Sequence, residues 1–204
     1  DLGFKKAGFK IVFANDNEKK LKKTYEKNLK HKILIKDIRK LDKKTIPQSD
    51  VIIAGIPCQP FSNAGNRKST KDKDGNLFIE VIKTIKCQKK KPSVVIFENV
   101  RGFLSSKDDT GTLLTKRFDL EMRKIGYKTK FQLLNSSDFG VPSNRYRVFL
   151  VCIRKNINKD YFFPTPIGQT ITPKVEVIRK INVGFRSAND LGFGVGFGQL
   201  HRYH

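Results

Sequence analysis

The apolar residues of this chain fall into short β-branched runs separated by segments of helical spacing. Ile11-Val12-Phe13-Ala14, Ile33-Leu34-Ile35, Val51-Ile52-Ile53-Ala54 and Val94-Val95-Ile96-Phe97 are the runs. Unbroken apolar stretches of this length predict strands buried on both faces, as in a parallel sheet. Between them, Leu21, Tyr25 and Leu29 recur at helical spacing, as do Leu77, Val81, Ile82 and Ile85. Asn17 is expected to cap the first of these helices. Residues 2–9 predict the end of a helix closing at Gly8, and residues 113–125 a further helix closed at Gly126. Residues 128–134 and 147–153, with Gly140 and Pro142 between them, predict an antiparallel hairpin at a sheet edge. The order β-α-β-β-α-β-α-β-β predicts an α/β fold, Rossmann-like and doubly wound, with a mostly parallel sheet and an antiparallel edge hairpin.

Past Arg154 this patterning stops. Pro164, Pro166 and Pro173 crowd together, glycines alternate with apolar residues from Gly192 to Gly198, and neither a helix nor a strand is predicted there. Residues 1–154 therefore read as one folded domain and 155–204 as an irregular extension or the start of a second region. Lys and Arg total 42 against 19 Asp and Glu, a net charge of +23. That excess points to a polyanionic partner, nucleic acid first, although runs such as Lys89-Lys90-Lys91 are equally at home on a solvated face. Cys58, Cys87 and Cys152 have no CxxC spacing, which fits a reducing, cytoplasmic compartment. His31, His201 and His204 form no ligand pattern with them and read as surface or terminal residues, so no metal is expected. No apolar run reaches the ~18 residues of a membrane helix, so no membrane association is expected. The chain opens at Asp1, in what reads as the middle of an element, and is expected to be a fragment.

The chemistry concentrates where strands are predicted to end. After residues 51–54, Gly55-Ile56-Pro57-Cys58-Gln59-Pro60-Phe61-Ser62 stops the strand and holds one cysteine between two prolines. That presents a nucleophile at the carboxyl edge of an open sheet, where such folds bind ligands. A small buried thiol is the other reading, and the polar Gln and paired prolines fit it poorly. Asp16 and Asp37 follow strands too. Each could take the hydroxyls of a ribose, or serve as a turn-forming or exposed loop acid. Glu98 follows four apolar residues and is placed at the sheet's active edge. Arg145 and Arg147 lie on the same side of an extended segment, suited to a polar ring atom and a carboxylate or phosphate, or to a solvated strand edge. Residues 62–76 are polar and nearly free of apolar anchors, the length and composition of a lid.

Taken in order, Pro57-Cys58-Gln59-Pro60-Phe61-Ser62, Phe97-Glu98-Asn99-Val100 and Gly140-Val141-Pro142-Ser143-Asn144-Arg145-Tyr146-Arg147-Val148 resemble the motifs of the cytosine-C5 DNA methyltransferases. Phe13-Ala14-Asn15-Asp16, Lys36-Asp37-Ile38 and Gly75-Asn76-Leu77-Phe78 are similar to that family's cofactor positions and loop-to-helix junction. The resemblance implies a class I methyltransferase fold using S-adenosylmethionine, with S-adenosylhomocysteine as product and duplex DNA as substrate. It implies that Cys58 is the nucleophile and that Glu98 holds the N3 and N4 edge of the base. By the same resemblance Arg147 binds the O2 oxygen, Arg145 steadies Glu98 or the loop, and Asn99 braces the prolines around Cys58. Asp16 takes the cofactor ribose, Asp37 and Ile38 the adenine edge, and Pro57 and Leu77 the sulfonium side. Gln59 and Ser62 belong to the nucleophile loop, with Ser62, Arg67 and Lys68 placed to close on the DNA backbone. A restriction endonuclease partner and a monomeric state are further expectations.

This chain departs from that pattern at three points. Asp1-Leu2-Gly3 leads directly into the first helix, without the family's Gly-rich turn. Ser143 stands where the arginine motif usually opens with Gln, and the last motif and a full target-recognition region are not visible. Weak cofactor binding is therefore expected. A tRNA cytosine methyltransferase of the same architecture shares the Pro-Cys-Gln and Glu-Asn-Val motifs; Ser62, where that subfamily often carries Thr, leans to DNA. A non-catalytic DNA-binding relative is opposed by intact Cys58, Glu98, Arg145 and Arg147.

Overall fold

The computed structural model describes residues 1–56, 77–108, 110–157 and 159–167, together with the backbone of Phe197–Arg202. Helix α1 (Leu2–Lys6) ends just before Gly8, whose φ of +87° carries the turn into β1 (Phe9–Asp16). Helix α2 (Leu21–Leu29) returns the chain to β2 (Leu34–Ile35), which pairs with β1 in parallel. This is a βαβ unit, and its register sets Asn15 beside Leu34 and Asp16 beside Ile35. Two single 3-10 turns, Ile38–Lys40 and Lys43–Thr45, follow before β3 (Val51–Gly55). Helix α3 (Leu77–Cys87) and then β4 (Val94–Val100) complete a second parallel pair with β3. Helix α4 (Leu114–Lys124) closes at Gly126, φ +96°, and leads into the hairpin of β5 (Tyr127–Asn135) and β6 (Tyr146–Arg154).

Both faces of this sheet are covered, as the unbroken apolar runs require. Alternation along β3 and β4 sends Ile52, Ala54, Val95 and Phe97 into a core shared with α3, α4 and β6, around Phe78, Val81, Ile85, Phe118, Met122 and Leu150. The residues between them, Val51, Ile53, Val94 and Ile96, pack on the opposite face with Phe4, Tyr25 and Leu29. The doubly wound architecture and its antiparallel edge hairpin are thus present.

Three readings need correction. The expected absence of any strand past Arg154 does not hold, because β7 (Phe197–Arg202) lies between β1 and β3 and runs antiparallel to both. Ladder hydrogen bonds come from backbone groups, so a strand can form where side chains give no period. The order across the described sheet is β2-β1-β7-β3-β4-β6-β5. Asn17 does not cap α2, which begins later; its N-cap is Lys20, without a side-chain hydrogen bond. The intervening turn is organised instead by Asp16, whose Oδ1 accepts from the Glu18 amide at 2.9 Å. His31 is half-buried, with its ring edge-on to Tyr25 at 6.4 Å between centroids. Among the described residues no helix is long and apolar enough to cross a membrane, and no cluster of three or more metal-ligating side chains occurs.

Candidate active site

Parallel pairing brings the ends of β1 and β2 together, and Asn15 fastens them. Its buried side chain donates from Nδ2 to the carbonyls of Leu34 at 2.9 Å and Lys36 at 2.7 Å. The Lys36 amide in turn donates to the Asp16 carbonyl at 2.9 Å. Asp16 and Asp37 therefore stand at adjacent strand ends. Asp16 is only 6% exposed. Burial raises its carboxyl above the usual range, opposed by hydrogen bonds from the Glu18 and Asn17 amides. Asp37 caps the first 3-10 turn by accepting from the Arg39 amide, and the Arg39 side chain folds back on both its oxygens, Nε to Oδ1 at 2.9 Å and Nη2 to Oδ2 at 2.5 Å. That guanidinium, above all, holds the Asp37 carboxyl below its ordinary value. Ile38 follows at once, packed on the main core with Leu77, the first residue of α3.

On the other side of the sheet's centre, β4 and β6 build an acid held by two arginines. Val100 lies opposite Arg147 and Glu98 opposite Phe149 in the antiparallel register, so Glu98 and Arg147 share a face. The Arg147 Nε is 2.9 Å from Glu98 Oε1, and the Arg145 Nη2 is 3.9 Å from the same oxygen. The predicted two-guanidinium face is therefore real, and Arg147 is the closer of the pair. Burial first, then the charge of Arg147, lowers Arg145 below the usual guanidinium value, against the pull of Glu98. The Glu98 side chain is 30% exposed, so the carboxylate remains within reach of solvent. Asn99 points to the opposite face and is buried; its Nδ2 donates to the Ile56 carbonyl at 3.2 Å and its Oδ1 accepts from the Val100 amide at 2.8 Å. Ile56 immediately precedes Pro57, and Gly55 pairs directly with Glu98.

Pro57, Cys58, Gln59, Ser62, Arg67 and Lys68, and the lid expected over residues 62–76, lie outside the described residues. Several residues that shape the site were not singled out in the sequence. Asn15 stood only as a neighbour of Asp16 in Phe13-Ala14-Asn15-Asp16; its role depends on which strand pairs with β1, and one residue's type does not carry that. Arg39 sits two residues from Asp37, a spacing that could have suggested the contact. Arg101 lies over the Tyr146 ring at 5.9 Å, just past the Glu98 strand, a pairing between segments far apart in sequence.

The profile of the C-5 cytosine-specific DNA methylase family matches residues 1–190. The chain is 42% identical over 170 residues to the Type II methyltransferase M.FnuDI of Fusobacterium nucleatum, covering 83% of this chain and 48% of that protein. It is 40% identical over 179 residues to M.Bsp6I of Bacillus sp. (strain RFL6), covering 85% and 55%. It is 34% identical over 166 residues to M.HhaI of Haemophilus parahaemolyticus, covering 81% and 49%. The chain thus spans about half the length of these curated relatives. The fold is similar to the crystal structure of Spodoptera frugiperda DNMT2, a triple mutant, with a TM-score of 0.63 at 25% identity over 80% of this chain and 49% of that one. It is also similar to S. pombe Dnmt2 methyltransferase, with a TM-score of 0.61 at 21% identity over 87% and 50%. With the Glu-Asn-Val strand end, the arginine pair on its carboxylate and this profile match in hand, the chain belongs to the C-5 cytosine-specific DNA methylase family.

Proposed function

We propose that this chain carries the catalytic residues of a DNA (cytosine-5-)-methyltransferase acting on a cytosine extruded from duplex DNA. The observation that supports it most is Glu98, reachable from solvent and gripped by Arg147 and Arg145, directly across the ladder from Gly55. Cys58 follows Gly55 by three residues, a reach of at most about 11 Å of extended chain. Nucleophile and acid are therefore tethered to one sheet edge.

Carbon 5 of cytosine is a poor nucleophile. In the proposed reaction the Cys58 thiolate forms a bond to carbon 6, and the ring's electrons move to N3, which takes a proton passed to it by the Glu98 carboxyl. The Glu98 carboxylate accepts hydrogen bonds from N3–H and the N4 amine, so it favours that electron flow. Arg147 faces the ring's O2 oxygen while keeping Glu98 oriented, and Arg145 supports the same carboxylate. Carbon 5, now enamine-like, takes the methyl group and then gives its proton to a water-borne base; the electrons of that C–H bond re-form the 5,6 double bond, Cys58 leaves as thiolate, and N3 returns its proton to Glu98. Asn99 fixes the carbonyl of Ile56, the residue before Pro57.

The strand ends fit S-adenosylmethionine. Asp16 is an acid buried at a desolvation penalty beside the β1–β2 junction, a place that a ribose diol would relieve by donating to it. Asp37 and the Ile38 backbone offer an acceptor and an amide to an adenine edge, and Leu77 and Pro57 line the sulfonium end. When bound, the cofactor supplies an electrophilic methyl group and leaves as S-adenosylhomocysteine. The target atom is hidden in stacked DNA, so the base is flipped out, at a few kcal/mol. Ser62, Arg67 and Lys68 are assigned to the DNA backbone, within a strongly basic chain. The relatives' designation as Type II enzymes supports a pairing with a restriction endonuclease, and the protein is proposed to act as a cytoplasmic monomer.

The test is a covalent trap. Duplex DNA carrying 5-fluorocytosine, with S-adenosylmethionine, should give a denaturant-stable adduct, because fluorine cannot leave as a proton does. Cys58→Ala should abolish the adduct, and Glu98→Gln should slow it by about a hundredfold or more. Tritium transfer from the cofactor to tRNA and not to duplex DNA would overturn the substrate. An adduct that persists in Cys58→Ala would overturn the mechanism.

A further inference from the structure

We infer that Lys43 is a positioning residue for the adenine end of the cofactor cleft, acting through Glu80. This rests on the proposed role of Asp37 and Ile38. Within the first 3-10 turn, Ile38–Lys40, the Ile38 carbonyl accepts from the Leu41 amide at 3.1 Å. The Lys43 ammonium comes back onto the same turn. It donates to the Ile38 carbonyl at 2.5 Å and the Leu41 carbonyl at 3.0 Å, and it pairs with Glu80 Oε2 at 2.8 Å. Three donors meet three acceptors, and both side chains are 10% exposed. The other Glu80 oxygen accepts from Lys83 at 2.7 Å.

Glu80 lies one turn into α3, whose first residue is Leu77. The ion pair therefore joins two walls of the proposed cleft, the turn that carries Ile38 and the start of α3. A purely stabilising role does not require this arrangement, since a buried ion pair is often no better for stability than an apolar pair of equal volume. Nor does the attachment of this segment to α3 depend on Lys43. At the far end of the helix, buried Gln88 accepts from the Ser49 amide at 3.1 Å and donates to the carbonyls of Ile46 at 3.3 Å and Pro47 at 3.1 Å. Removing the Lys43 ammonium unfastens the Ile38–Leu41 turn from Glu80 of α3, leaving the turn only its own hydrogen bonds, while the chain from Ile46 onward stays fastened. The consequence is local: the Asp37 carboxylate and the Ile38 amide that would meet the adenine edge lose their fixed place relative to α3.

Calorimetric titration of the full chain with S-adenosylhomocysteine and with adenosine, alongside thermal melts, tests this. Lys43→Met should raise Kd for both ligands about tenfold, and by the same factor for each, because the loss falls on the shared adenine end. Lys43→Arg, which keeps the donors, should recover most of the affinity. Glu80→Gln keeps a hydrogen-bond acceptor for the Lys43 ammonium, which still holds the Ile38 and Leu41 carbonyls, and it should give a smaller shift in the same direction even where Lys43→Met melts early. If the parent chain binds S-adenosylhomocysteine and both Lys43→Met and Glu80→Gln bind it equally well, with only the melting temperature lowered, the inference is overturned and the cofactor reading stands. If the parent chain binds neither ligand, the cofactor reading falls and takes this inference with it.

Discussion

Asp16 is buried at a cost in stability that the proposed ligand would return. Its carboxyl is raised by burial, so between the ordinary value of 3.8 and its higher folded value the native state keeps a proton that the unfolded chain has lost. Stability falls as pH rises through that window, and the deficit persists at neutral pH, where both states are ionised. Asp16→Asn keeps an oxygen for the Glu18 amide and removes the charge. The expected outcome is a melting temperature at pH 7 equal to or above the parent's, with weaker S-adenosylhomocysteine binding by calorimetry; a lower melting temperature would contradict it. Much of this was readable: Asp16, Asp37, Glu98, Arg145 and Arg147 stand at strand ends or on one face because strand alternation and apolar runs place them there. Asn15 was not, since its partners Leu34 and Lys36 lie in and just past a strand that reaches β1 across the helix between them.

At the scale of elements, Gly126 shows what a local signal can carry. It follows the last residues of α4 at φ +96°, its amide donates to the Arg123 carbonyl at 3.1 Å, and its own carbonyl accepts from Lys155 at 2.9 Å. A Cβ there would meet nothing within 4 Å, so replacement is opposed by backbone conformation alone. Gly126→Ala should therefore destabilise the fold by about 1 kcal/mol, read as a lower denaturation midpoint at unchanged slope. This helix end was legible because a glycine after an apolar, helically spaced segment has one common use. The start of α2 was not, because Asp16 competes with Asn17 for the same turn and wins through its bond to the Glu18 amide. The stitching of α3 by Gln88 at one end and Lys43 at the other was equally hidden, as each joins residues some forty positions apart.

For the molecule as a whole, the net charge of +23 would make the proposed association with DNA an electrostatic event first. Affinity for a duplex should drop about a hundredfold between about 50 and about 200 mM salt, measured by fluorescence anisotropy, and a flat response would argue that the lysines merely solvate the surface. Fold class followed from the order of apolar runs, since strands covered on both sides leave that imprint wherever they occur. The place of β7 did not, because a ladder between two other strands is made by main-chain groups common to every residue. That insertion has a consequence for assembly. Among the described residues, strands β1 and β3 are joined by hydrogen bonds only through a segment made long after both, so on the ribosome the two sides of the sheet must wait, their facing edges open, until the closing piece emerges.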